Sequence, residues 1–170
     1  MSRVGDFSGG YVMRTFLKAA IGVLAATGIA GSANAATASA SFTVTASVAA
    51  ACTIGASNLA FGAYTGSQVD INSTVTANCI TGTTYSIALN AGIGAGATTT
   101  VRKLTSGANT LNYALYSDAG HSAIWGTGVD AVSDTGSGAP QSKNVYGRIA
   151  AGLTPAAGSY TDTVTATITF

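Results

Sequence analysis

The sequence predicts an all-β protein, one sandwich of short strands, and three observations carry that expectation. Beyond the first 35 residues the apolar side chains recur with period two, as half-buried strands require. Stretches rich in Gly, Ser, Asn and Asp separate these runs, at 92–96, 106–109, 126–138 and 155–159. No stretch keeps a helical period for a useful length, and several short strands at such spacing argue for a sandwich.

The chain opens on an address. Arg14 and Lys18 supply a basic start, residues 19–30 (AAIGVLAATGIA) are apolar and uncharged, and Ser32-Ala33-Asn34-Ala35 carries an A-x-A cleavage pattern. Residues 1–35 are therefore read as a signal peptide. Met13 sits where such a peptide normally begins, which leaves Met1 and Met13 both as candidate starts. An apolar run of about a dozen residues is short of the roughly 20 that span a bilayer, so a released mature protein is expected.

Residues 36–51 read as an N-terminal extension. Within it Phe42, Val44, Ala46 and Val48 alternate with Ser41, Thr43, Thr45 and Ser47, the pattern of an amphipathic strand on a loose leash. Such a strand can pair within its own chain or be lent to a neighbour by β-strand addition, and periodicity does not choose.

Residues 52–170 read as the sandwich. Alternation is clear at Val69, Ile71, Val75, Ala77 and Cys79, at Tyr85, Ile87 and Leu89, at Leu111, Tyr113 and Leu115, and at Val145, Gly147 and Ile149. The end is the most regular. From Tyr160 to Phe170 the even positions are Tyr160, Asp162, Val164, Ala166, Ile168 and Phe170, and every odd position is threonine. A single long strand is expected there, with Asp162 near its start within reach of solvent.

Composition narrows the function. Without the leader, Arg102, Lys103, Lys143 and Arg148 stand against Asp70, Asp118, Asp130, Asp134 and Asp162, a net charge of −1 with no glutamate. Such a chain has no basic field for nucleic acid. Low charge with abundant Thr, Ser, Ala and Gly suits a surface packed into an assembly. The cysteines are Cys52 and Cys79, and an even count in an exported chain favours one disulfide over two free thiols. Closing that loop contributes roughly 3 to 4 kcal/mol on the chain-entropy model.

Catalysis is not expected. The single histidine, His121, lies in a polar loop and reads as a solvated turn residue. One histidine and two bridged cysteines cannot close a zinc shell. Asp130 and Asp134 match no calcium loop and read as turn formers, and Gly92-Ile-Gly94-Ala-Gly96 lacks the lysine and helix of a phosphate loop. Trp125 would stack on a sugar if exposed, whereas a buried or turn-packing tryptophan is the commoner case. No cofactor or metal is implied.

The run Leu153-Thr-Pro155-Ala-Ala-Gly158-Ser-Tyr160-Thr-Asp162-Thr-Val164-Thr-Ala-Thr-Ile168-Thr-Phe170 resembles the closing signature of the spore coat protein U domain family, which includes Csu-type pilins of the archaic chaperone–usher pathway. Leu111-Asn-Tyr113-Ala-Leu115-Tyr116-Ser-Asp118, Trp125-Gly126-Thr-Gly128 and Val145-Tyr146-Gly147-Arg-Ile149 fall in the family's order, and Cys52 with Cys79 matches its usual disulfide pair. The resemblance implies an incomplete immunoglobulin-like sandwich, lacking one strand and completed by a donor strand from a neighbouring subunit. It implies a major pilin exported through the periplasm, polymerising by donor-strand exchange into a surface fibre for adhesion and biofilm. The implied partners are further copies of the chain, a periplasmic chaperone, an outer-membrane usher, and minor and tip pilins. On this resemblance Phe42, Val44, Ala46 and Val48 are the donor side chains, and Val164, Ala166, Ile168 and Phe170 line the acceptor groove. Burying four such donor side chains contributes on the order of 5 kcal/mol. The rival expectation is a secreted monomeric sandwich that binds a glycan or a coat component through its loops.

Overall fold

The computed structural model describes residues 35–170. The expected leader, with Met13 and the apolar run 19–30, lies outside the described residues. The chain divides into two units, Met1–Val44 and Thr45–Phe170, and the sandwich lies in the second. Residues 35–51 carry no strand, and their side chains are exposed.

Eight strands follow: β1 (Cys52–Ala56), β2 (Val69–Cys79), β3 (Thr84–Leu89), β4 (Arg102–Ser106), β5 (Asn109–Tyr116), β6 (Val132–Thr135), β7 (Gln141–Ile149) and β8 (Ala166–Thr169). One sheet has the order β1-β2-β7-β5-β4 and the other β6-β3-β8, with every named pair antiparallel. The fold is therefore all-β, an incomplete sandwich. Among the described residues the one helical element is the 3-10 turn Gly128–Asp130.

The four alternating runs ahead of the C-terminal one form β2, β3, β5 and β7, and their inward residues make the core: Val75, Ala77, Cys79, Tyr85, Ile87, Leu89, Leu111, Tyr113, Leu115, Val145 and Ile149, joined by Trp125. Burial of this apolar surface is the main favourable term. The strands that alternation missed are the weaker flanking ones. β6 lies inside the glycine-rich stretch 126–138 expected to be a loop, and its Asp134 carboxylate bonds the Lys143 ammonium of β7. That pair laces one side of the sandwich shut, and it gives Asp134 a structural partner.

The expected strand from Tyr160 to Phe170 is split in two. Thr161 pairs with Thr105 beside β4 through two backbone bonds of 2.8 and 3.0 Å, and only residues 166–169 pair with β3. In between, the chain crosses from one sheet to the other, and side chains replace the missing ladder. Asp162 accepts from the Ile93 and Thr163 amides at 2.8 Å each, and Asn90 Oδ1 accepts from the Gly92 and Thr165 amides at 3.0 and 2.9 Å. A strand that changes sheets needs such a bend, and a half-buried carboxylate at position 162 supplies it.

Arg102, counted so far only in the net charge, is 0 % exposed and donates to the carbonyls of Asn90, Thr99, Leu89 and Trp125 at 2.8–3.1 Å. Its guanidinium stitches β4 to the end of β3 and to Trp125. His121 is not a solvated turn residue: its side chain is 8 % exposed, bonds Arg148 Nη2 through Nδ1 at 3.1 Å, and packs edge-on between Tyr116 and Tyr146.

Candidate functional site

β8 is bonded along one edge only, to β3, and its other edge has no strand partner among the described residues. β1 is likewise an edge strand of the larger sheet, and the two approach each other across this open side. An unpaired strand edge presents a row of backbone donors and acceptors to any extended segment that arrives.

A groove lies here. One wall runs from Ala56, the last residue of β1, to Phe61, and the other is the crossing segment, Asp162 to Val164. Its floor is apolar and comes from four strands, with Val75, Leu104, Tyr113, Leu115 and Val145 facing up beside Leu89. The volume is about 510 Å³, and Leu59, Phe61 and Leu104 carry the groove on into a second cleft of about 770 Å³ between residues 59–64 and 155–162.

The wall can lie so close because β7 has glycine beneath it. A Cβ at Gly147 would stand 2.9 Å from Phe61 Cζ and 3.0 Å from Leu59 Cδ1, closer than side chains allow. Phe61 in turn meets Tyr113 edge-on at 5.6 Å between centroids, a favoured aromatic geometry. Tyr113 donates its hydroxyl proton to Asp162 Oδ2 at 2.7 Å, so the floor holds the opposite wall. Burial, and then this bond to a carboxylate, push the Tyr113 ionisation well above the ordinary phenol range. Tyr64 completes the upper end, donating to Ala150 O at 2.8 Å and accepting from the Leu153 amide at 2.9 Å.

Of the residues singled out as acceptor positions, Val164 lines the groove, Ala166 and Ile168 are half-buried in β8 against the core, and Phe170 is 57 % exposed. Of the donor residues, Phe42, Val44 and Val48 are 87, 80 and 81 % exposed, and Ala46 is exposed as well. Cys52 and Cys79 are bonded at 2.02 Å, fastening the start of β1 to the end of β2. Leu59, Phe61 and Leu104 escaped notice. Leu59-Ala-Phe61 does place two large apolar side chains in alternation among small neighbours, which is the signal that could have found the wall. Trp125 is fully buried and donates its indole N–H to Ile87 O at 2.8 Å, so it has no face for a sugar.

The family model of the Spore Coat Protein U domain matches residues 38–167. The chain belongs to the spore coat protein U domain family. A curated relative, Protein U of Myxococcus xanthus, is 36% identical over 159 residues, covering 81% of this chain and 88% of its own. Among solved structures, this spore coat U chain is similar to a chain of the CsuC–CsuE chaperone–tip adhesion subunit pre-assembly complex from the archaic chaperone–usher Csu pili of Acinetobacter baumannii. There the TM-score is 0.57 and the identity 23%, over 72% of this chain and 40% of that one. The spore coat U chain thus spans less than half the length of that solved chain, and the likeness is one of fold.

Proposed function

We propose that this spore coat U chain is an exported pilus subunit that polymerises by donor-strand exchange. One observation carries the reading: an apolar groove walled by residues 56–61 and 162–164, just ahead of β8 with its unpaired edge, in a chain whose residues 41–48 form an exposed alternating segment with no ladder of its own. A strand laid against β8 would satisfy its free backbone groups and bury Phe42, Val44, Ala46 and Val48 over the floor. The groove side chains that meet them are Leu59, Phe61 and Val164, with Ala166 and Ile168 behind.

A subunit carrying both a groove and a donor segment can be filled by one neighbour and fill the next. That property suits the repeating shaft of a fibre, the major pilin, with minor and tip pilins joining the same chain of exchanges. Before assembly the groove needs a temporary occupant. A periplasmic chaperone lending a strand, and an outer-membrane usher where the next subunit replaces it, fit that need. Adhesion and biofilm formation are the roles such a surface fibre serves. The rival reading, a monomeric glycan-binding sandwich, loses its best handle because Trp125 is buried.

Deleting residues 41–48 tests the reading. The intact chain should give an SDS-resistant ladder that collapses on boiling, and the deleted chain none. A ladder that survives the deletion rules donor-strand exchange out.

A further inference from the structure

We infer that the Cys52–Cys79 disulfide is a load clamp, passing tension that arrives through residues 41–51 into β2 and keeping it off the wall of the groove. The inference rests on the donor-strand reading above and concerns what holds a subunit together when the fibre is pulled.

In a strand-exchanged fibre every donor segment is a tether under the full load. Only Ala49, Ala50 and Ala51 separate Val48 from Cys52, the first residue of β1. β1 is an edge strand of five residues, bonded along one side to β2 and without a strand on its other side among the described residues. The chain then runs straight on from Ala56 to Phe61, the wall over Val75, Tyr113 and Leu115. Tether, edge strand and wall are thus consecutive in the chain, and without the disulfide a pull on the tether would fall on β1 first.

The wall is lightly held. The Ser57 amide donates to Thr74 O at 2.9 Å, Ser73 Oγ donates to the Ser57 and Asn58 carbonyls at 2.7 and 3.0 Å, and Phe61 meets Tyr113 edge-on. Exposed bonds along one edge open at far lower free energy than a central ladder. If β1 sheared from β2 the wall would follow, and the subunit would release the next donor strand while the fibre was under load.

The disulfide stands ahead of both elements. Cys52 and Cys79 face each other where β1 begins and β2 ends. β2 is paired on both sides, with β1 and, over Val69–Ala77, with β7. Past Cys79, residues 80–83 turn into β3, the middle strand of the smaller sheet, whose Ser86 to Leu89 pair with β8. Tension therefore crosses by a covalent bond into strands that are held on both sides, and passes from them to the strand beside the next donor. β1 and residues 57–61 hang off that path.

Polymers of the full chain, assembled oxidised, are held between two beads at constant tension before and after adding a phosphine reductant. Cys79 is buried and Cys52 half-buried, so polymers of Cys52→Ala with Cys79→Ala repeat the measurement with no reduction step; if that variant does not assemble, the reduced parent decides. Without tension, light scattering should show polymers of the same size with and without the bond. Under tension, the lifetime without it should fall at least about tenfold, because forced unfolding is governed by the opening rate. Rupture should then be preceded by an extension step of up to about 60 Å as residues 52–68 pull out ahead of β2. Oxidised parent polymers should break without that step. Equal lifetimes, or the same step in oxidised polymers, overturns the inference. Polymers that fall apart on reduction without load overturn it too, since the bond would then be a general staple of the fold. Deleting residues 41–48 separates the two layers. A ladder that survives deletion overturns the donor reading and this inference together, whereas a ladder lost on deletion, with lifetimes under load indifferent to the disulfide, overturns this inference alone.

Discussion

The Tyr113 hydroxyl, on the floor of the groove, donates a 2.7 Å hydrogen bond to Asp162 on its wall. The bond is formed by the protonated phenol, and burial together with the carboxylate raises the folded-state pKa above the ordinary value of 10.0. A raised folded pKa means that the contribution is fully present below the unfolded value and is lost as pH climbs from there. Thermal stability should therefore decline above about pH 10, and the decline should be shallower in Tyr113→Phe. Tyr85, also raised by burial, leaves a residual slope. Melts across the alkaline range check this, and an undiminished decline in Tyr113→Phe contradicts it.

Gly92 has φ 82°, and a Cβ there would stand 2.0 Å from Asp162 Oδ2. Gly92→Ala should displace the carboxylate from the Ile93 amide and destabilise by about 2 kcal/mol or more. Gly62 has a similar φ of 73° with nothing within 4 Å, so Gly62→Ala isolates backbone strain and should cost about 1 kcal/mol. Urea unfolding of the two variants gives the comparison. Equal losses would remove Asp162 from the account.

Arg102 donates to four backbone carbonyls inside the sandwich. Replacing it with methionine keeps the stem and orphans those acceptors, at a cost of about 3–5 kcal/mol. Lysine keeps the charge but loses the planar fork, and should recover only part of the loss. Denaturant midpoints order the three chains as Arg, Lys, Met if the geometry matters.

On the acid side, the Arg148 guanidinium bonded to Asp70 holds its carboxyl below 3.8, and the Lys143 ammonium does the same for Asp134. A depressed folded pKa contributes stability above the unfolded value that is lost as pH falls. Urea midpoints measured from about pH 6 down to about pH 2.5 should drop below pH 4, and Asp70→Asn should drop less. Both pairs are only half-buried, at 29–37 % side-chain exposure, so added salt should weaken the effect.

The central strands were legible because their inward positions are mostly apolar and keep period two, as Tyr85, Ile87 and Leu89 show. The flanking strands were not. β4 carries Arg102 at an inward position, and β6 hides among glycines because one of its four residues, Asp134, looks across to Lys143 rather than into a core. The alternation from Tyr160 to Phe170 promised one strand, and a single carboxylate broke it, since Asp162 finds its partners on the 92–93 loop and on Tyr113. The groove itself was only half visible. Its floor gathers residues from β2, β4, β5 and β7, and no local pattern announces a surface assembled by long-range pairing.

The central claim is that the free edge of β8 accepts residues 41–48 as a strand. A synthetic peptide of residues 40–49, titrated into a chain lacking them, tests it most directly through amide hydrogen exchange. Saturable binding, a raised melting temperature and new protection on residues 164–169, all lost with Phe42→Asp in the peptide, are the predicted result. No binding, or binding that leaves the β8 amides as exposed as before, would contradict it.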